Sequence, residues 1–95
     1  MLTVYKYPIN PSDDKIELSI PGGGPVLSAG LDPIGQVCVW AAVDTEKEEE
    51  TVNVYCVGTG WPLDWMFDYE EKIILVGTVR QHNLMWHIFR GRKEE

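Results

Sequence analysis

The loop at residues 58–62 combines residue types that can recognise a small ligand. Gly58 and Gly60 leave the neighbouring backbone N–H groups open to an anion, and Thr59 adds a hydroxyl. Trp61 follows directly and offers an aromatic face for stacking. Together they would suit a nucleotide-like ligand, with its phosphate at the glycines and its base on the tryptophan. The alternative is a bulge and turn in which Trp61 packs into the core.

Other side chains would join this loop if the chain folds back on it. Trp65 and Tyr69 are nearby aromatic residues, and Arg80 brings a positive charge. His87 lies among apolar residues in a predicted strand, so it is either part of the site or a core histidine that holds a carbonyl or carboxylate. The candidate ligand site comprises Gly58, Thr59, Gly60, Trp61, Trp65, Tyr69, Arg80 and His87.

The titratable side chains give no recognisable catalytic or metal centre. No nucleophile can be assigned beside either histidine, His82 or His87. Cys38 and Cys56 lie in apolar runs without the spacing of a metal or redox motif, so we expect buried thiols, with a cross-strand disulfide as the alternative. A metal needs about four convergent ligands, and no such set is recognisable. We therefore expect no enzyme activity, no metal and no cofactor.

The chain carries 15 acidic and 8 basic residues, which give a formal net charge of −7. Binding to a nucleic-acid backbone needs clustered Lys and Arg, so nucleic acid is not expected as a partner. A basic protein surface stays open as a partner, as does a small ligand met by a few local donors. The acidic run that would face a basic protein has the simpler interpretation of a solvated hairpin tip. It comprises Asp44, Glu46, Glu48, Glu49 and Glu50.

A second glycine run, residues 22–24, lies between Pro21 and Pro25. A phosphate loop would need Lys and then Ser or Thr after the last glycine, with a helix behind them, and neither follows. We interpret the run as a tight connection between strands, because glycine adopts positive φ readily and proline stops strand pairing.

Short apolar or alternating stretches separated by turn residues predict an all-β chain. The stretch at 36–44 is apolar on both faces, with Val37, Val39, Ala41 and Val43 on one side, which is typical of a central strand. Residues 62–71 form at most one short helical turn or an irregular loop, and residues 91–95 a frayed charged tail. The predicted strands are residues 2–7, 15–20, 25–31, 36–44, 51–58, 72–80 and 84–90.

A chain of 95 residues has room for one small domain. Closure into a small antiparallel β-barrel or folding as a two-sheet sandwich would each protect the strand edges, and both alternatives stay open. No apolar run is long enough to span a membrane and no secretory signal is recognisable, so we expect a cytoplasmic protein. Small size and high aromatic content predict a homo-oligomer.

Short motifs occur in order along nearly the whole chain. They are Val4-Tyr5-Lys6-Tyr7-Pro8, Ile20-Pro21-Gly22, Trp40-Ala41-Ala42-Val43-Asp44, Val57-Gly58-Thr59-Gly60, Val76-Gly77-Thr78 and Trp86-His87-Ile88-Phe89. The ordered set resembles a family of small proteins of unknown function that bacteriophages and prophages encode. The resemblance implies a phage origin and an accessory role in the bacterial cytoplasm. That family carries a histidine after the Gly-Thr-Gly, whereas this chain has Trp61, which argues against histidine chemistry there.

Different classes of function follow from these features. The first is a binding protein without catalysis that sequesters a nucleotide-like signal of host defence, supported by the loop at residues 58–62 and by the phage resemblance. The alternative is an acidic inhibitor that covers a basic surface of a host defence protein, because complementary charge steers association. A virion or assembly component is a further alternative.

Overall fold

A computed structural model of the chain describes residues 1–92, which form seven strands and a short 3-10 helix. The 3-10 helix spans Asp64–Asp68. The strands are β1 (Leu2–Pro8), β2 (Lys15–Pro21), β3 (Val26–Leu31), β4 (Val37–Asp44), β5 (Glu49–Gly58), β6 (Lys72–Gln81) and β7 (Leu84–Arg92). The predicted all-β class is therefore confirmed. No helix in this described part of the chain is long and apolar enough to cross a membrane.

The strands form two antiparallel sheets, so the sandwich is the one of the two predicted alternatives that the chain adopts. The sheet that we name A has the order β1-β4-β3, and the sheet that we name B has the order β2-β5-β7-β6. Strands β4 and β5 each have a partner on both sides. The central position of β4 explains why its sequence is apolar on both faces.

The main core lies between the two sheets. Strand β4 sends Val37, Val39, Ala41 and Val43 into it, the same side chains that the alternation predicts. The B sheet supplies the facing residues from β2, β5, β6 and β7, and they are Leu18, Ile20, Val52, Val54, Cys56, Val79, Trp86 and Ile88. Burying one such aliphatic side chain stabilises the fold by about 1.5–3 kcal/mol.

A second cluster covers the outer face of the B sheet. Tyr55 and Val57 point away from the main core, and Met66 of the 3-10 helix packs on them. The Tyr55 hydroxyl donates a 2.7 Å hydrogen bond to Glu71 Oε1, and Asn53 Nδ2 donates one of 2.9 Å to the same oxygen. Burial raises the pKa of Tyr55, and the Glu71 contact raises it further. The segment at 62–71 is thus a lid fixed to β5 rather than a free loop.

A buried carboxylate fixes the hairpin between β3 and β4. Asp32 is 6% exposed and accepts backbone hydrogen bonds from Ile34 and Gln36 at 3.1 and 2.9 Å. Lys6 Nζ of β1 lies 3.1 Å from the other carboxylate oxygen. Burial alone would raise the pKa of Asp32, but these hydrogen bonds and the lysine charge outweigh it and lower the pKa.

Several strand ends differ from the sequence prediction. Strand β5 begins at Glu49 instead of residue 51, because the backbones of Glu49 and Glu50 pair with β2 while their side chains stay exposed. Strand β7 continues to Arg92, so Gly91 and Arg92 belong to a strand where a frayed tail was predicted. The remainder of that tail, residues 93–95, lies outside the described residues.

The two cysteines are free and buried, as the thiol interpretation predicts, and the alternative disulfide is not formed. Cys38 lies on β4 and Cys56 on β5, in different sheets. Burial raises the pKa of Cys56 to about 12. Both thiols therefore remain protonated and act as small apolar side chains.

Asp32→Asn should destabilise the protein near neutral pH, because the neutral amide loses the charge-assisted bond to Lys6. The pKa of Asp32 is lower in the folded chain than the unfolded value of about 3.9. Its contribution is therefore complete above that value and is lost as pH falls through the folded pKa. The gap between the urea midpoints of the two proteins should be constant above about pH 5 and should narrow as the pH falls towards about 3 and below. Asp13→Asn, at an exposed turn, is the control; a gap for Asp32→Asn that persists unchanged in acid would contradict this account.

Met66→Ala should destabilise the fold by about 2–5 kcal/mol, because Met66 is fully buried under the lid. The neighbouring Phe67 is 64% exposed, so Phe67→Ala should change stability by no more than about 0.5 kcal/mol. Equilibrium denaturation of both variants measures the difference. Equal, small effects would mean that the lid does not stabilise the B sheet.

Candidate functional site

The loop at residues 58–62 forms a tight turn at the end of β5. Trp61 N donates to Gly58 O at 3.0 Å, and Thr59 N donates to Met85 O at 3.3 Å. Gly60 has φ +86°, a conformation that glycine adopts readily. Two of the N–H groups expected to cradle an anion are thus already engaged within the protein.

Trp61 lies on the core side of this turn. Its ring packs on Gly58, where an added Cβ would be 3.0 Å from Trp61 Cε2. It also meets the ring of Trp86 edge-on, with centroids 5.5 Å apart and an interplanar angle of 83°. The side chain remains 49% exposed. Trp61 therefore packs at the edge of the main core with about half of its side chain exposed, so it is not the core residue of the structural alternative.

Thr59 points to the outer face of the B sheet and contacts His87. Thr59 Oγ1 lies 2.6 Å from His87 Nε2, and Thr78 Oγ1 lies 3.3 Å from His87 Nδ1. Each ring nitrogen faces a different hydroxyl. In a neutral imidazole, one nitrogen accepts a hydrogen bond from its hydroxyl and the other nitrogen donates one to its hydroxyl. The structure thus brings together two predicted residues and adds Thr78. Counting back along both strands from the turn at residues 82–83 would have found it, because Thr78 pairs with His87.

Trp65 and Tyr69 meet at Tyr55, not at Trp61. Their ring centroids lie 5.9 and 5.6 Å from that of Tyr55. Trp65 Nε1 donates to Pro62 O at 3.0 Å, and Lys15 Nζ lies 4.6 Å from the centre of the Tyr69 ring. These aromatic rings build the lid over β5.

Arg80 lies beyond Thr78 on β6 and donates from Nε to His82 O at 3.2 Å. It pairs in register with Met85 of β7. The predicted ligand residues thus separate into distinct local contacts on the two faces of the B sheet.

The acidic run also divides into different environments. Asp44 accepts from Glu46 N at 3.1 Å, and both carboxylates lie within 3.6 Å of the N-terminal amine. Hydrogen bonding to Glu46 and the positive N-terminus lower the pKa of Asp44 against a smaller opposing effect of burial. Glu49 and Glu50 belong to β5, and Glu48 O accepts from Gly22 N. The prediction of a hairpin tip is wrong, because β4 pairs with β1 and β3 whereas β5 pairs with β2 and β7. The run instead connects the A sheet to the B sheet.

A cavity that sequence analysis missed lies at the opposite end of β5. Pairing between β5 and β7 covers Val54–Gly58 against Arg90–Trp86 and stops there. Beyond this point the two strands flank a cavity of about 500 Å³. We name it the arginine cleft; its lining is Gly22, Gly23, Glu50, Thr51, Val52, Asn53, Glu71, Arg90, Gly91 and Arg92.

A second cavity of about 450 Å³ adjoins the arginine cleft, because both are lined by Gly23, Arg90 and Arg92. Its other lining residues carry no charge, and they are Gly24, Pro25, Val26 and Ile74. We name this second cavity the basic lobe and the first, with its two carboxylates, the polar lobe. The two lobes together make up the arginine cleft.

The glycine run forms one wall of both lobes. Gly22, Gly23 and Gly24 have φ of +81°, +79° and +96° and connect β2 to β3, as predicted. A Cβ added at Gly24 would lie 3.1 Å from Arg90 Nη1. Glycine at this position therefore allows both the backbone conformation and the close approach of the guanidinium.

Arg90 is half-buried and forms no ion pair of 4.0 Å or less with another residue of 1–92. The ion pairs among residues 1–92 involve Met1, Lys6 and Lys15, and none includes Arg90. Burial lowers the pKa of Arg90 and repulsion by Arg92 lowers it further, while Glu71 acts in the opposite direction. A desolvated guanidinium beside a second one is an unfavourable arrangement that an anion would relieve.

The sequence offered only weak signals for this cleft. The glycine run has the pattern of a connection between strands, and this pattern by itself does not indicate a ligand site. The sequence predicts Arg90 at the end of a strand and Arg92 in a frayed tail, so it does not bring the two side chains together. The tight β2–β3 connection and the end of β7 meet only because β2 and β7 flank β5 in the B sheet.

Metal chemistry finds no support in residues 1–92, where no group of three or more His, Cys, Asp or Glu side chains could hold an ion.

Comparisons with curated proteins and with solved structures gave no match. A family model matches the whole chain, residues 1–95, and its description assigns no activity. The chain belongs to the family described as Domain of unknown function (DUF7352).

Proposed function

We propose that this protein binds a small anionic ligand in the arginine cleft and performs no chemistry on it. The observation that carries the proposal is the pair of guanidinium groups, Arg90 and Arg92, which line the same cavity without an ion pair to residues 1–92. Buried or half-buried charges in proteins are normally paired. A phosphate or carboxylate between the two groups would provide that pairing.

The energetics favour an anion despite the charge of the whole chain. A hydrogen bond from a charged donor contributes about 1.5–3 kcal/mol, and two guanidinium groups can supply several. The net charge of −7 repels anions at long range. That repulsion is screened beyond about 8 Å at physiological ionic strength, whereas direct contacts inside a cleft are not. Local contact therefore outweighs the net charge.

The proposed biological setting is an accessory protein of a bacteriophage or prophage that acts in the host cytoplasm by sequestering its ligand. The ordered motifs from Val4-Tyr5-Lys6-Tyr7-Pro8 to Trp86-His87-Ile88-Phe89 support this setting through their resemblance to phage proteins. Sequestration requires binding alone, which two guanidinium groups in one cleft can provide. The acidic-inhibitor alternative rests on net charge, and two carboxylates of its acidic run, Asp44 and Glu46, already contact the N-terminal amine.

Titration of the labelled protein with inorganic phosphate, followed by amide NMR, should shift the resonances of Gly23, Gly24 and Gly91 most. Arg90→Gln should weaken phosphate binding at least about tenfold, because it removes a charged hydrogen-bond donor. Lys15→Gln removes the same charge outside the cleft and should leave the affinity unchanged.

Two results would contradict the proposal. One is phosphate binding that is equally strong in Arg90→Gln. The other is a set of shifts centred on Thr59 and Trp61 and abolished by Trp61→Ala, which would return the ligand to the loop at residues 58–62. The spectra of the variants also report whether each remains folded.

A further inference from the structure

The arginine cleft holds opposite charges that do not pair. Glu50 of β5 lines the polar lobe together with Arg90 and Arg92, yet no N···O distance of 4.0 Å or less joins Glu50 to either arginine. Opposite charges that share a cavity normally approach each other when nothing prevents it. Their separation leaves room for a ligand that contacts both.

The glycine run explains how the charges are held apart. A Cβ added at Gly23 would lie 2.8 Å from Glu50 Oε2, and one added at Gly24 would lie 3.1 Å from Arg90 Nη1. The carboxylate and the guanidinium thus each contact the backbone of one of two consecutive glycines. Gly23 is shared by the two lobes, so Glu50 stands at their boundary.

The two lobes differ in the groups that they would accept. The basic lobe contains guanidinium groups and no carboxylate, so it suits an anion. The polar lobe adds the Glu50 carboxylate, the Thr51 hydroxyl and the Asn53 amide. An ionised carboxylate only accepts hydrogen bonds, so Glu50 favours a hydroxyl or amino donor and repels a second anion.

We propose that the ligand is a monophosphorylated sugar, free or as part of a nucleotide. Its phosphate binds Arg90 and Arg92, and its hydroxyl groups donate to Glu50. This inference rests on the proposed function and names the ligand class of the same site. The lobe volumes of about 450 and 500 Å³ lie within the range of small-molecule sites.

The orientation of the ligand follows from the cleft. A sugar bisphosphate would bring its second phosphate against Glu50 and should bind more weakly than the monophosphate. A neutral sugar has no group for the arginines and should not bind measurably. Inorganic phosphate fills the basic lobe alone and should bind more weakly than a sugar phosphate.

Calorimetric titration with inorganic phosphate, ribose, ribose 5-phosphate and adenosine monophosphate tests the inference. In the unmodified protein, ribose 5-phosphate should bind about tenfold more tightly than phosphate, from hydrogen bonds to a charged acceptor. Glu50→Gln should weaken ribose 5-phosphate about tenfold and strengthen phosphate a few-fold, because the repulsive charge is gone. Opposite changes in the affinities for ribose 5-phosphate and phosphate would identify Glu50 as the group that contacts the sugar.

Further variants separate this effect from a general change of charge. Glu17→Gln removes an exposed carboxylate of β2 outside the cleft and should leave both affinities unchanged. Glu50→Asp retains the charge and shortens the side chain, so it should weaken ribose 5-phosphate without strengthening phosphate. Glu50 is exposed, and both variants are expected to fold.

The outcomes distinguish this inference from the proposed function. If phosphate binds through Arg90 and ribose 5-phosphate binds no better, with Glu50→Gln moving both affinities together, the sugar-phosphate assignment is wrong and anion binding stands. If neither phosphate nor ribose 5-phosphate binds, both proposals fail. Adenosine monophosphate binding much more tightly than ribose 5-phosphate would identify a nucleotide as the source, and equal affinities would identify a free sugar phosphate.

Discussion

The burial of β5 on both faces is the constraint on which the rest of the structure depends. Val52, Val54 and Cys56 enter the main core, while Tyr55 and Val57 are covered by the lid at residues 62–71. A strand covered on both sides has little freedom to shift register, because a slip of one residue would exchange its two faces. The strands on either side, β2 and β7, are therefore fixed relative to each other through β5.

The same constraint accounts for the arginine cleft. Glu71 ends the lid and binds Asn53 and Tyr55 of β5, and its carboxylate lies against Gly91 of β7. A side chain at Gly91 would overlap this carboxylate and would force Glu71 to move away from Asn53 and Tyr55. The β5–β7 ladder ends one residue before this contact, at Val54 and Arg90. The contacts of Glu71 on the outer face of the B sheet thus lie where β5 and β7 separate and the guanidinium groups face the cleft.

Local patterns were sufficient for the elements and insufficient for the site. The alternation of β4 and the connection formed by residues 22–24 follow from side-chain periodicity and turn chemistry, which act over a few residues. The Thr59–His87 contact spans 28 residues in sequence, and the cleft joins a loop near residue 23 to a strand end near residue 90. Such contacts depend on strand order, and strand order could not be read from periodicity.

Trp61 follows the C-terminal end of β5, whereas the arginine cleft lies along the N-terminal part of the same strand. Trp61 packs against Gly58 and Trp86. Gly58 lies five residues from Asn53 of the arginine cleft, about 17 Å along an extended strand. A change at position 61 therefore alters how one end of the core is closed and leaves the arginine cleft untouched.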